Sequence, residues 1–280
     1  MSGLSPVPAT TGSLHVPGAR LHYESRGDGD PIVLVGAPMD ADAFAPLADL
    51  LASDHTVLTT DPRGIKRSPV EDPDEDSTPE MRADDLSRLL HHLDVGPVAV
   101  FGSSGGAVTA LALVQAHPEQ VRAVVAHEPP LEELLPDREQ RRLATDAIVA
   151  TYLSDGPGAA WARFLADAGL DLSEGEGPAA LPSDPAERDP REVADERHFF
   201  LSQLRATTHW QPDLVALRAA ASRIVVGIGE RSAGQVCDLT ATALAAELEI
   251  RPARFPGGHT GFLEDTEAFA ARLREVLGYR

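Results

Sequence analysis

The sequence predicts an α/β protein with a mostly parallel central sheet, helices on both faces and a helical cap insertion. Short apolar runs, typical of strands buried on both faces, alternate with amphipathic or alanine-rich segments of helical length. Strands that alternate with helices in this way form parallel sheets covered on both faces. The alternation stops between residues 131 and 217, where helical patterns occur without a convincing strand. We therefore expect one core from residues 13–130 and 218–280, a cap from residues 131–217, and a loose N-terminal tail over residues 1–12.

Local signals along the chain define the individual elements. The predicted strands cover residues 13–16, 20–25, 31–35, 55–60, 98–101, 121–126, 223–228 and 250–255. The predicted helices cover residues 43–52, 78–93, 107–117, 239–247 and 265–277 in the core, and 131–153, 158–168 and 191–206 in the cap. Pro17 and Gly18 mark a hairpin turn, and Thr78 followed by Pro79 is typical of a helix N-terminus. A Gly- and Pro-rich break is expected over residues 173–190.

The stretch from residue 98 to residue 113, VAVFGSSGGAVTALAL, carries the strongest chemical signal. A buried strand ends there at a G-x-S-x-G pattern centred on Ser104, and a helical segment follows. In such a sharp strand-to-helix turn the central serine has a strained backbone and an exposed hydroxyl, and only small neighbours such as Gly102 and Gly106 fit. Free amides at the start of the helix point toward any developing anion. The context favours a nucleophilic serine over a turn with an idle hydroxyl.

Composition narrows the classes of partner. A net charge of −20 over 280 residues disfavours nucleic acid and anionic membranes, and the chain has no apolar run of about eighteen residues. The N-terminus lacks the basic and apolar pattern of a secretory signal. Cys237 is the only cysteine, so no intrachain disulfide can form, and the reducing cytoplasm is the expected compartment. A single lysine among many arginines and alanines is typical of high-GC bacterial genomes. We expect a small-molecule substrate, and a homodimer is compatible with the sequence.

Four motifs together resemble those of the α/β-hydrolase superfamily. They are GSSGG at residues 102–106, the turn at Gly36, DPRG at residues 61–64, and GHTGF at residues 258–262. The likeness covers nearly the whole chain except the cap. The family's usual D-x-R-G-x-G-x-S pattern has a second glycine where this chain has Lys66, and Val35-Gly36 replaces the usual His-Gly. Neither change removes a backbone donor. The resemblance implies a serine hydrolase with a helical cap.

His259 is the expected general base. A serine hydroxyl is almost never ionised near neutral pH, so a base must take its proton during attack. His259 lies in a glycine-bounded loop between the last predicted strand and the last helix, which is where the resembled family carries its histidine.

The acid that would orient His259 is left open between two glutamates. Much of the family carries it in a G-x-x-D turn after the strand that here spans residues 223–228, but Ser232 occupies the aspartate position in this chain. Glu230 lies close to that position. Glu128 follows the strand at residues 121–126, where some relatives, including certain haloalkane dehalogenases, carry their acid. Because catalytic groups gather at the carboxyl ends of parallel strands, we favour Glu128 and keep Glu230 as the alternative.

The resemblance also implies an oxyanion hole and a substrate pocket. The backbone amides of Gly105, directly after the nucleophile, and of Ala37, after the first buried strand, would stabilise the oxyanion. The residues expected to line the pocket are Met39, Trp161, Phe199, His209 and Trp210.

The nucleophile restricts the reaction class. Dehalogenases and most epoxide hydrolases of this fold use aspartate where Ser104 stands, so those activities are not expected. Serine fits acyl chemistry, and hydrolysis of a carboxylic ester with a small, partly apolar acyl group is the least demanding choice. The alternatives are a cofactor-free perhydrolase or haloperoxidase-like enzyme, and a non-catalytic small-molecule binder. No cofactor is expected, and no metal site, because the histidines lack ligand spacing and one cysteine cannot build a structural zinc site.

Overall fold

The computed structural model of the chain describes residues 7–170 and 188–278. Eight strands within this part form one sheet in the order β1-β2-β4-β3-β5-β6-β7-β8. Their bounds are β1 Thr10–Val16, β2 Ala19–Arg26, β3 Asp30–Val35, β4 His55–Thr60, β5 Val98–Ser103, β6 Val121–His127, β7 Ile224–Gly229 and β8 Ala253–Phe255. Strand β2 is antiparallel to both β1 and β4, and all the other pairs are parallel. The predicted mostly parallel sheet is confirmed.

Helices cover both faces of this sheet. The core helices are α1 Ala41–Leu51, α2 Pro79–His92, α3 Gly105–Ala116, α9 Val236–Glu247, α10 Gly261–Glu264 and α11 Thr266–Val276. One apolar cluster joins the sheet to α1, α10 and α11, and a second joins its other face to α2, α3 and α9. As predicted, Thr78 caps α2 by accepting a hydrogen bond from the Met81 amide at 3.2 Å, and Pro79 is the first helical residue.

A helical insertion separates β6 from β7, as the sequence predicts. Its described helices are α4 Arg138–Asp155, α5 Pro157–Ala168, α6 Pro190–His198, α7 Leu204–Thr208 and α8 Leu214–Ala219, with one turn of π-helix at Phe199–Gln203. An aromatic and aliphatic cluster gives the insertion a small core of its own. Arg82 of α2 ties the insertion to the main core, because its guanidinium donates to the Thr109 hydroxyl at 2.9 Å and to the Thr207 hydroxyl at 3.0 Å.

Several boundaries differ from the prediction for local reasons. The helix expected from residue 131 begins at Arg138, because Pro136 follows a short 3₁₀ turn and interrupts it. The strand expected from residue 250 begins at Ala253, since the Ile250 amide still donates to the Ala245 carbonyl at the end of α9. Strand β1 begins at Thr10, inside the stretch expected to be a tail. Residues 1–6 of that tail and residues 173–187 of the expected Gly- and Pro-rich break lie outside the described residues. In the part that the structure describes, no helix is both long and apolar enough to cross a membrane.

Candidate active site

Ser104 lies at the junction between β5 and α3 with an unusual backbone conformation. Its φ is 55° and its ψ is −125°, and its amide donates to the His127 carbonyl at 2.9 Å. A positive φ at a non-glycine residue costs roughly 1–3 kcal/mol and persists only when the surroundings enforce it. The close packing of the turn is visible at Gly106, where an added Cβ would lie 2.0 Å from the Val35 carbonyl oxygen. The sequence therefore forms the strained, tightly packed serine turn that the G-x-S-x-G pattern predicts.

Glu128 and His259 come together at the carboxyl end of the sheet. Glu128 directly follows β6, is fully buried and has a φ of 51°. One carboxylate oxygen, Oε2, accepts a hydrogen bond from His259 Nδ1 at 2.6 Å, and the other, Oε1, accepts from the Gly229 amide at 2.7 Å. His259 lies in the loop between β8 and α10. Because Nδ1 donates to the carboxylate, Nε2 of His259 is left as the atom that can accept a proton.

The electrostatics of this pair favour a charged carboxylate. Burial alone would raise the pKa of Glu128, but the hydrogen bond from His259 and the positive potential of the two histidines, His127 and His259, hold the pKa of Glu128 at about 2. Burial would lower the pKa of His259, yet the neighbouring Cys237 and the bonded Glu128 raise that pKa well above its usual range. Glu128 is therefore ionised near neutral pH, and it stabilises the imidazolium form of His259.

Glu230, the alternative acid, lies elsewhere. It is exposed at the end of β7, and its backbone amide donates to the Phe255 carbonyl at 2.9 Å. Ser232, which occupies the position usual for the acid, is fully buried beside Glu128, and its hydroxyl contributes to the low pKa of that carboxylate. The structure thus brings Glu128 to His259 and leaves Glu230 at the surface.

A cavity of about 330 Å³ opens between the sheet edge and the helical insertion. Ser104 and His259 line it, together with Ala37 and Gly105, the two residues predicted to form the oxyanion hole. Ala37 and Gly105 lie against each other, since an added Cβ on Gly105 would be 2.3 Å from the Ala37 carbonyl oxygen. Gly105 opens α3, so its amide belongs to the first turn, where intrahelical acceptors are lacking.

Three of the five predicted pocket residues line this cavity and two do not. Met39, Trp161 and Phe199 belong to its wall. His209 and Trp210 do not, which corrects the prediction. Trp210 is buried in the main core, and its indole Nε1 donates to Glu80 at 2.6 Å. This bond and the core packing hold the end of α7 against α2, away from the cavity.

Comparisons with known proteins agree with this architecture. A family model described as alpha/beta hydrolase fold matches residues 31–166. The chain is also 32% identical over 271 residues to the uncharacterized hydrolase YraK of Bacillus subtilis (strain 168), with 95% of each chain covered. The chain belongs to the α/β-hydrolase family.

Solved structures of a hydrolase and of an esterase have the same fold. A hydrolase from Pseudomonas aeruginosa PA01 superposes with a TM-score of 0.72 at 20% identity, covering 96% of this chain and 98% of the other. A thermophilic esterase from Thermogutta terrifontis superposes with a TM-score of 0.66 at 20% identity, covering 97% and 98% of the two chains.

Sequence reasoning missed most of the polar residues that this α/β-hydrolase presents to its cavity, among them Glu132, Gln203 and Cys237. Cys237 opens α9 beside His259, and the sequence offered no signal for that contact. Glu132 follows Glu128 by four residues, so its proximity to the sheet edge was a usable signal. Among residues 7–170 and 188–278, no group of three or more His, Cys, Asp or Glu side chains is arranged to hold a metal ion.

Proposed function

We propose that this protein is a serine hydrolase that cleaves carboxylic esters with small, partly apolar acyl groups through an acyl-enzyme. One observation carries the proposal: the 2.6 Å hydrogen bond between Glu128 and His259 adjoins a cavity that Ser104, on its strained turn, also lines. A nucleophile, a base and a carboxylate that orients the base form the arrangement that activates serine.

The proposed reaction follows from these positions. His259 Nε2 takes the proton of the Ser104 hydroxyl as the oxygen attacks the ester carbonyl, and Glu128 stabilises the resulting imidazolium. The amides of Ala37 and Gly105 donate to the oxyanion of the tetrahedral intermediate. The intermediate collapses, the C–O bond to the leaving alcohol breaks, and His259 gives that alcohol its proton. Water then attacks the acyl-enzyme by the same route, and the free acid leaves.

The substrate class follows from the walls of the cavity. Rings and aliphatic side chains from the insertion line the same cavity as Ser104, namely Ile148, Trp161, Phe164, Leu165, Phe199 and Leu204. A volume of about 330 Å³ is at the lower end of ligand pockets, which suits a small acyl group. The esterase among the solved structures of this fold supports ester chemistry by analogy only.

A panel of acyl substrates tests the proposal. Purified wild type and Ser104→Ala are compared on 4-nitrophenyl esters of increasing chain length, on lactones, on thioesters, and in a peroxide-dependent halogenation assay. A fluorophosphonate probe followed by peptide mass spectrometry reports which serine reacts. We expect ester turnover by wild type alone, with the label on Ser104 and not on its neighbour Ser103. Peroxide-dependent turnover without ester hydrolysis would favour the perhydrolase alternative, and absence of label and of turnover would favour a binding protein.

A further inference from the structure

Glu132 is a buried carboxyl on the wall of the cavity with an unpartnered oxygen. The residue is 6% exposed and lines the same cavity as Ser104 and His259. Its Oε2 atom is buried and has no hydrogen-bond partner in the described part of the chain. An unpaired buried carboxyl oxygen is costly, so its retention needs a reason such as a ligand that supplies the missing donor.

Gln203 presents a second unpartnered polar group to this cavity. It is 1% exposed, and neither its amide oxygen nor its amide nitrogen has a hydrogen-bond partner among the residues described. It ends the π-helical turn Phe199–Gln203. Such turns are rare and frequently occur at functional sites, where the extra residue redirects a side chain. Glu132 and Gln203 thus both present buried polar atoms without a described partner to this cavity.

The charges around Glu132 make this side of the cavity acidic. Burial and the nearby carboxylates of Asp167, Asp137 and Glu133 raise the pKa of Glu132 to about 7, and Arg141 opposes them. Arg141 also forms ion pairs with two of these acids: its Nε lies 3.2 Å from Asp137 and its Nη1 lies 3.8 Å from Asp167. Arg142 binds the fourth acid, Glu133, so two arginines face four carboxyl groups and a net negative charge remains. A cation entering the cavity would relieve the repulsion among them.

Aromatic rings beside these acids suit a cation as well. Trp161 stacks on Phe199 with ring centroids 5.1 Å apart, and Phe164 meets Trp161 edge-on at 5.6 Å. All three rings line the cavity. Aromatic faces attract ammonium groups, most strongly where water is excluded. The net charge of −20 would also raise the local concentration of cationic substrates.

We propose that the insertion side of the cavity binds a protonated amine, so that the substrates are esters carrying an alkylammonium group. Glu132 is the specificity-determining residue, and the Gln203 amide oxygen is a second acceptor for the same group. An ammonium offers three N–H donors and a full charge, whereas a hydroxyl offers one donor and no charge, so the ammonium is the better match for unpaired oxygens among acids. The substrate class rests on the proposed function, but the ammonium site itself does not.

Calorimetry on Ser104→Ala protein tests the site without turnover. Hexylammonium chloride and 1-hexanol, which differ only in the polar head, are titrated at about pH 8, where the amine is protonated and Glu132 is mostly ionised. We expect hexylammonium to bind at least about tenfold more tightly than 1-hexanol, and the preference to vanish when Glu132→Gln is added. Gln203→Leu should weaken hexylammonium binding by roughly threefold. Glu139→Gln, an exposed acid on α4 with the same loss of charge, is the control and should leave the preference intact.

Equal binding of the two ligands to the Ser104→Ala protein, or no measurable binding of hexylammonium, would overturn the ammonium site. A preference that survives Glu132→Gln would remove Glu132 from it. Circular dichroism establishes that each variant is folded, and Gln203→Leu gives an independent reading should Glu132→Gln not fold. Because no ester is cleaved in these titrations, they succeed or fail separately from the proposed hydrolysis.

Discussion

Two buried glutamates four residues apart, Glu128 and Glu132, show how differently the two sides of the cavity are built. Glu128, on the sheet side, has both oxygens bonded and a pKa of about 2. Glu132, on the insertion side, has a buried oxygen without a partner and a pKa of about 7. Both are removed from water, so the difference comes from their neighbours: hydrogen bonds and histidines lower the pKa of Glu128, whereas nearby carboxylates raise the pKa of Glu132. The Glu128 carboxylate on the sheet side is fully bonded within the protein, whereas the insertion side has buried polar atoms without a partner among the described residues.

The largest expected effect is on the sheet side. Ser104→Ala should lower kcat for ester hydrolysis by roughly 10⁴- to 10⁶-fold, because it removes the nucleophile while the cavity stays formed. The measurement is steady-state turnover of a 4-nitrophenyl ester, with the melting temperature as the check on folding. A variant that keeps more than about a tenth of the wild-type rate would contradict the assignment of the nucleophile.

Glu128→Gln should have the next largest effect and should also change the pH profile. Loss of the carboxylate should lower kcat by roughly 10²- to 10⁴-fold, since the amide no longer stabilises the imidazolium. Glu128 raises the pKa of His259, and His259 acts as a base only when neutral, so activity is lost as pH falls through that pKa. In the variant, the acidic limb of the plot of kcat against pH should therefore move to lower pH.

Glu230→Gln is the matched control for that experiment. It removes an exposed carboxylate from the end of β7 and should cost less than about tenfold in kcat, with no movement of the acidic limb. The reverse pattern, a large loss in Glu230→Gln and a small one in Glu128→Gln, would transfer the orienting role to Glu230.

Alkylation of Cys237 tests whether the cavity is the place where the substrate binds. It lines the cavity with Ser104 and His259, and His259 is its close neighbour. Iodoacetamide should therefore abolish most ester turnover, by about tenfold or more, because the added amide group fills space that the acyl group needs. Cys237→Ser should retain activity and resist the reagent. Equal inactivation of both proteins would show that alkylation acts elsewhere.

The contrast between the sheet side and the insertion side of the cavity also explains which parts of the site were predictable from the sequence. Ser104, Gly105 and His259 lie in short motifs whose meaning is local, and the parallel strands bring their loops to one edge. Glu128 could be favoured because it directly follows a strand. The insertion side depends on packing between helices far apart in sequence. Trp161 and Phe199 were predicted correctly as wall residues, but Trp210 was not, because its indole bonds to Glu80 in the main core. Gln203 ends a π-helical turn, and no sequence pattern indicated either that turn or the missing partner.

The smallest expected effect concerns stability, and it compares the two glutamates directly. Folding raises the pKa of Glu132 from 4.5 to about 7, so the folded state holds a proton that the unfolded chain releases, and stability falls as pH rises across that interval. Glu132→Gln abolishes this loss. In urea unfolding, the free energy of unfolding of the variant relative to wild type should therefore rise by on the order of 2 kcal/mol between about pH 5 and pH 8. Glu139→Gln should show no such gain. Glu128 has the opposite effect on the pH dependence of stability. Its lowered pKa stabilises the fold above about pH 4.5, and that stability is lost as pH falls toward about pH 2. If the free energies of unfolding of wild type and Glu132→Gln ran parallel between about pH 5 and pH 8, the pKa of Glu132 would not be raised by folding. The contrast between the two glutamates would then be wrong.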